Sequence, residues 1–157
     1  MANEHRYAAT LRWTGAARGP TSSYASYSRE YLAEIAGKPP LRGSADPTYR
    51  GDPTLHNPED LLLVALSACH MLSYLALCAR VRIDVVAYED EAAGIMAMKD
   101  GKVRFTEIVL RPRVTLAAGA DRAKALTLHH EAHEICFIAS SVNFPIRHEA
   151  TIAEGDG

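Results

Sequence analysis

The 157-residue chain has no excess of charge of either sign: 17 Lys and Arg stand against 19 Asp and Glu, for a formal net charge of -2, and the signs are interspersed. A nucleic-acid-binding domain presents a basic face, so that class is disfavoured at the outset. Cysteine is scarce as well. Three residues cannot build a disulfide framework, so each is either a buried small hydrophobe or a reactive thiol. Internal repeats, low-complexity tracts and charge runs are absent. No apolar run is expected to reach the roughly 18 residues of a membrane span, and Met1-Ala2-Asn3-Glu4-His5 lacks a basic-then-apolar leader. These absences lead to the expectation of a cytoplasmic protein with neither membrane nor nucleic acid as partner. What is present is an ordinary core: 48% hydrophobic residues in a chain of a length that suits a single domain spanning 1–157.

The pattern along the chain is α+β. Arg6 to Trp13 alternates loosely and reads as a strand that stops at Thr14-Gly15. Ser22 to Ile35 carries Tyr24, Tyr27, Tyr31 and Leu32, and its start reads as a second strand. Residues 36–56 hold Gly37, Pro39, Pro40, Gly43, Pro47, Gly51 and Pro53, an irregular stretch of a length that often serves function. Asn57-Pro58-Glu59-Asp60 is the sharpest local signal. Asn57 can cap, Pro58 suits the first helical position, and two carboxylates complement the positive helix end. Leu61 to about Ala79 is apolar nearly all round, which predicts a buried central helix covered by a sheet or a partner chain. Ile83 to Met98 and Val103 to Ala117 read as strands joined at Asp100-Gly101, a strong hairpin signal. A second helix is predicted from Asp121 to about Ala139, and Ile146 to Ile152 alternates as a closing edge strand. The fold expected is α+β, with antiparallel sheets around two central helices.

Cys69 and Cys78 lie nine residues apart, about 13.5 Å along a regular helix and on opposite faces. They cannot bridge, because a disulfide needs Cα atoms within about 7 Å. Cys78, in Leu77-Cys78-Ala79, reads as a core residue. Cys69 sits among small neighbours, Ser67-Ala68-Cys69-His70, which leave room for a substrate but equally suit close packing; spacing alone leaves both readings open. Cys136 follows His133-Glu134-Ile135, and helices packed on one sheet can bring it to Cys69. A competing constellation is His129, His133 and Cys136 at i, i+4 and i+7, one helical stripe with metal-ligand chemistry. The segment misses the zinc-protease spacing, and a polar, partly solvated stripe accounts for it as well.

Asn57-Pro58-Glu59-Asp60-Leu61-Leu62, then Ser67-Ala68-Cys69, then a second helix with Cys136 and a closing strand, resembles the OsmC/Ohr family of organic hydroperoxide reductases, in a divergent OsmC-like branch. The resemblance runs from about Arg50 to Ile152. It implies that Cys69 attacks the peroxide, that Cys136 resolves the sulfenic acid as a disulfide, and that no cofactor or metal is required. It also implies an Arg and a Glu: Glu59 falls on the Glu position and Arg50 matches the OsmC-branch Arg, with Arg29 as the rival from the Ohr branch. One departure is that Phe137 follows Cys136 where family members usually have Pro. Implied partners are an organic hydroperoxide, a dithiol reductant of lipoyl type and a second copy of the chain. An OsmC-like dimer that holds a small ligand without turnover is the alternative.

The residue types suit this chemistry. A free thiol, with pKa about 8.5, needs a nearby cation to be a thiolate at neutral pH, and Arg stays charged while its planar fork also holds a carboxylate. Ten residues of straight helix put Glu59 about 15 Å from Cys69. A homodimer with antiparallel copies, each site drawing on both chains, is therefore expected.

Overall fold

A computed structural model describes residues 4–155, and the chain divides into two compact units, residues 1–61 and 62–157. The first unit holds an antiparallel meander of three short strands, β1 (Thr10–Trp13), β2 (Tyr31–Glu34) and β3 (Leu41–Gly43). β1 occupies the C-terminal half of the segment predicted from Arg6. The second strand forms at the end of Ser22–Ile35 rather than at its start, because Ser23 and Ser26 bond to each other and to nearby backbone, and such local bonds compete with a sheet ladder. The irregular stretch contains β3 and a single 3-10 turn, Pro47–Tyr49, whose N-terminal amide is capped by Asp46.

Helix α1 runs unbroken from Pro58 to Arg80. Its start is the one the sequence announces: Asn57 Oδ1 accepts from the Asp60 N–H at 2.8 Å and Asp60 accepts from the Asn57 N–H at 3.3 Å, a reciprocal cap. Two expectations for this helix need correction. It buries one stripe rather than its whole circumference, Leu66, His70, Tyr74 and Cys78, each four residues from the last. It is also long and apolar enough, at a mean hydropathy of 2.1, to cross a membrane by length and composition alone. Ser67, His70, Ser73 and Tyr74 interrupt the apolar run, yet no Asp, Glu, Lys or Arg occurs between Leu61 and Cys78.

Two three-stranded sheets build the second unit, and each of three chain segments supplies a strand to both. The first segment gives β4 (Val85–Asp90) and β5 (Ala93–Lys99), the second β6 (Lys102–Leu110) and β7 (Pro112–Leu116), the third β8 (Ile146–His148) and β9 (Thr151–Glu154). The sheet orders are β4-β7-β9 and β5-β6-β8. The two long predicted strands are thus each broken once, at 91–92 and at 111. Asp100 and Gly101 turn the hairpin with φ of 52° and 75°, the left-handed pair that a two-residue hairpin loop requires. The expectation of antiparallel sheets is also corrected: β8 pairs parallel to β6, and β9 parallel to β7. A return through a helix delivers a strand in the parallel sense. That helix is α2 (Arg122–Ile135), capped by Asp121, which accepts from the Lys124 N–H at 2.9 Å.

Tyr74 and Cys78 of α1 pack with Leu128 and Ala132 of α2 and with Val114 and Leu116 of β7. Leu66 of α1 packs separately with Ile108 and Leu110 of β6. One helix face therefore serves both sheets, with residues 69 and 70 lying between the two clusters.

Candidate functional site

The second unit brings Cys69 and Cys136 together. Cys136 is not midway along α2 as expected; the helix ends at Ile135 and Cys136 forms its extended C-cap. Beyond it a 3-10 turn, Ala139–Ser141, is held by Ser140, which donates from both its N–H and its hydroxyl to the Cys136 carbonyl, each at 3.0 Å, and by the Ser141 hydroxyl, which donates to the Phe137 carbonyl at 2.7 Å. Outside the helix, the Cys136 thiol is fully buried and close enough to the Cys69 thiol to be affected by it, while the Ala139 N–H approaches its sulfur at 3.5 Å. Burial first, and the neighbouring Cys69 thiol second, hold the Cys136 thiol well above its ordinary range. Cys69 is half-buried and all three cysteines are free. The two sulfurs thus differ in kind: one reachable, one enclosed behind it. Beside Cys69, Ala68 and Ser67 border a cleft of about 350 Å³ with Met71, Tyr88 and Asp90, and the Ser67 hydroxyl donates to the Asp90 carboxylate.

A group of imidazoles, unrecognised as such in the sequence, surrounds the next residue. His70 Nε2 and His129 Nδ1 lie 3.0 Å apart, both rings buried. His129 stacks on Tyr74 with ring centroids 3.8 Å apart, and His148 of β8 lies 5.6 Å from His70 and 6.1 Å from both His129 and His133. Burial, then the neighbouring rings, depress His70 to about 4 and His129 to about 3. The competing metal constellation does not form, since His129 turns inward to His70 and Cys136 leaves the helix; no group of three metal-competent side chains occurs among the described residues.

Arg50, Glu59 and Arg29 belong to the first unit. Arg50 is exposed, closes the 3-10 turn with φ of 65°, and makes no ion pair among the described residues. Arg29 is held instead. It donates to the Tyr24 and Tyr27 carbonyls, and its guanidinium lies 3.7 Å from the centre of the Tyr27 ring. With Trp13, Tyr27 and Tyr31 it lines a cleft of about 440 Å³. Tyr31 rests on β3, where a Cβ at Gly43 would lie 2.2 Å from its ring, so only glycine admits it. Burial and the charge of Glu59 raise the Tyr31 phenol, which ties Glu59 to the same cleft.

The profile of the family described as OsmC-like protein matches residues 51–151. The chain belongs to the OsmC-like family. An OsmC-like protein of unknown function from Vibrio cholerae is 32% identical, covering 94% of this chain and 100% of its own, with a TM-score of 0.84. The Bacillus subtilis protein YmaD, itself uncharacterised, is 28% identical over 104 residues, 63% of this chain and 69% of its own. An organic hydroperoxide resistance protein from Elizabethkingia anophelis shares the fold at 18% identity and a TM-score of 0.70, covering 99% of this chain and 100% of its own. For this OsmC-like chain the α+β architecture and the family are shown together. His70 and His129 are what the sequence left unread. The one usable signal was the placement of His70 on the buried stripe of Leu66, Tyr74 and Cys78, a position where a lone imidazole needs a buried partner.

Proposed function

We propose that this OsmC-like protein is a cysteine-based peroxidase that reduces organic hydroperoxides, working as a cytoplasmic homodimer. The observation that supports it most directly is the half-buried Cys69 thiol beside the enclosed Cys136 thiol, near enough to act on its ionisation. In the proposed cycle the Cys69 thiolate attacks the peroxide oxygen distal to carbon, the O–O bond breaks, and the alkoxide leaves as an alcohol on taking a proton. The Cys69 sulfenic acid then meets Cys136, which gives up its proton as the S–S bond forms and water departs. A dithiol, of lipoyl type by family likeness, exchanges with that disulfide and leaves as its own cyclic disulfide. Burial of Cys136 keeps it a thiol until Cys69 is oxidised, which suits the resolving role.

The cation is assigned to the first unit. Arg29 replaces Arg50 as the leading candidate, because Arg29 is locked in the aromatic cleft that Tyr31 links to Glu59, whereas Arg50 is solvent-exposed. Dimerisation is supported by the apolar outer face of α1, where Val64 and Leu72 are 61% and 62% exposed. It is supported also by the unbroken helix between Glu59 and Cys69.

Thiol titration after one equivalent of cumene hydroperoxide tests the reading. Two thiols per chain are expected to disappear as one alcohol forms. Retention of every thiol would favour the alternative, a dimer that binds a small ligand without turnover. Arg29→Met should slow alkylation of Cys69 at pH 7 and Arg50→Met should not; the reverse would return the role to Arg50.

A further inference from the structure

The imidazoles around His70 have no part in the cycle just described, yet they occupy its supporting ground. His70 follows Cys69 directly in α1, and His129 lies just under two turns before Cys136 in α2. The 3.0 Å contact between the two rings is therefore a polar tie between α1, which carries Cys69, and α2, which ends at Cys136. It stands in an otherwise apolar layer: Tyr74 covers one face of His129, and Leu128 and Ala132 flank it on α2. We propose that the His70–His129 pair positions the Cys69 and Cys136 thiols against each other, and does so until both rings carry a second proton, so that strong acid releases the apposition.

The physical reason is the proton count. Two neutral imidazoles share one N–H between Nε2 of His70 and Nδ1 of His129; when both carry a full complement of protons neither nitrogen can accept, and the tie becomes a repulsion. Nothing nearby compensates the charge. The groups acting on His70 are His148 of β8 and His133 of α2, and those acting on His129 are His70 and His148. Tyr74, stacked on His129, and Tyr88 of β4 beyond it complete the surroundings, and His130 acts on His148. No carboxylate is among them. His129 Nε2 is fully buried without a partner, so a proton added there would have no acceptor. Both rings are accordingly held in the neutral form, His70 to about pH 4.

His70 and His129 are positioning residues, since neither is shown to touch sulfur. The test uses no hydroperoxide, so it can fail independently of the peroxidase reading. The full-length Cys78→Ser protein receives one equivalent of 4,4′-dithiodipyridine, which reacts with thiols even in acid. One thiol first displaces thiopyridone and forms a mixed disulfide; the second thiol, if near, displaces the other thiopyridone and closes the Cys69–Cys136 bond. Intact mass distinguishes the closed from the mixed product. At pH 7 the parent and His70→Gln, whose neutral amide can donate to or accept from His129, should close, whereas His70→Leu should stop at the mixed product. Between about pH 4 and pH 3 the parent should lose closure several-fold more than His70→Gln, which controls for the ordinary loss of thiolate. Closure by His70→Leu equal to the parent, or an identical acid profile for parent and His70→Gln, overturns the proposal. Should the Leu variant fail to fold, imidazole NMR of the parent decides: both rings unprotonated at pH 5 supports the pair, and titration of both near the ordinary value of about 6.5 overturns it.

Discussion

The two units of this chain solve the same task, holding reactive side chains in place, in opposite ways. The second unit encloses its groups: Cys136, His70 and His129 are no more than 1% exposed, and α1, α2 and two sheets pack over them. The first unit leaves its groups open. β1 has no buried residue, and Trp13, Tyr24 and Leu11 are 40%, 62% and 69% exposed around the Arg29 cleft. Enclosure suits a resolving thiol, which must stay protonated until called on. An open aromatic and cationic cleft suits a surface that is completed by a partner. The difference between them is one of enclosure: the two thiols come together inside one unit, whereas the Arg29 cleft of the other is open to solvent.

The contrast is broken most severely at the sulfurs. Cys69→Ser should abolish hydroperoxide consumption, and Cys136→Ser should allow a single turnover that stalls at the sulfenic acid, trapped by dimedone and weighed by mass spectrometry. Cys78→Ser should do neither, because that thiol faces the Tyr74 phenol inside the core, where burial raises it. Next in size is packing. Leu66→Ala should lower the unfolding free energy by about 2–5 kcal/mol in urea titration, as a cavity beneath α1 demands. Val64→Asp, two residues away on the outer face, should instead dissociate the dimer in sedimentation; an unchanged sedimentation coefficient would show that this face is left open.

Acid should separate the units further. Because His70 and His129 are depressed when folded, the unfolded chain takes up protons that the folded chain refuses as the pH falls below about 6.5. Stability is therefore unaffected by these groups above that value and is lost progressively toward pH 4 for His70 and pH 3 for His129. Urea midpoints between pH 7 and pH 4 check the sign, and His129→Gln should flatten the slope. The smallest effect expected is at the cap of α2, where Asp121→Ala should cost about 1 kcal/mol in the same measurement.

Local chemistry was legible in the sequence because its causes lie within a few residues. The reciprocal cap at Asn57 and Asp60, the cap at Asp121, and the Asp100-Gly101 turn all stand where their residue types require. Cys78 packs in the core as its neighbours imply. Periodicity carried the element types but not their limits. Where a strand must change sheets at 91–92 or 111, or a helix end at Ile135 with Cys136 beside Cys69, the deciding contacts come from outside the window that sets the pattern. Parallel pairing of β8 and β9 was similarly out of reach, since it depends on the path of a return through α2.

The sequence by itself determined that this is an α+β chain with a strongly capped apolar helix bearing Cys69, because capping, turn geometry and hydrophobic period are short-range effects. Only the tertiary structure decided that Cys136 leaves its helix to face Cys69, and that His70 finds His129 rather than solvent or a metal. Arg29, not Arg50, was likewise placed in the aromatic cleft by the folded chain. Each of these joins residues dozens of positions apart, and no local pattern encodes which side chains the packing of helices on sheets will bring within a hydrogen bond of one another.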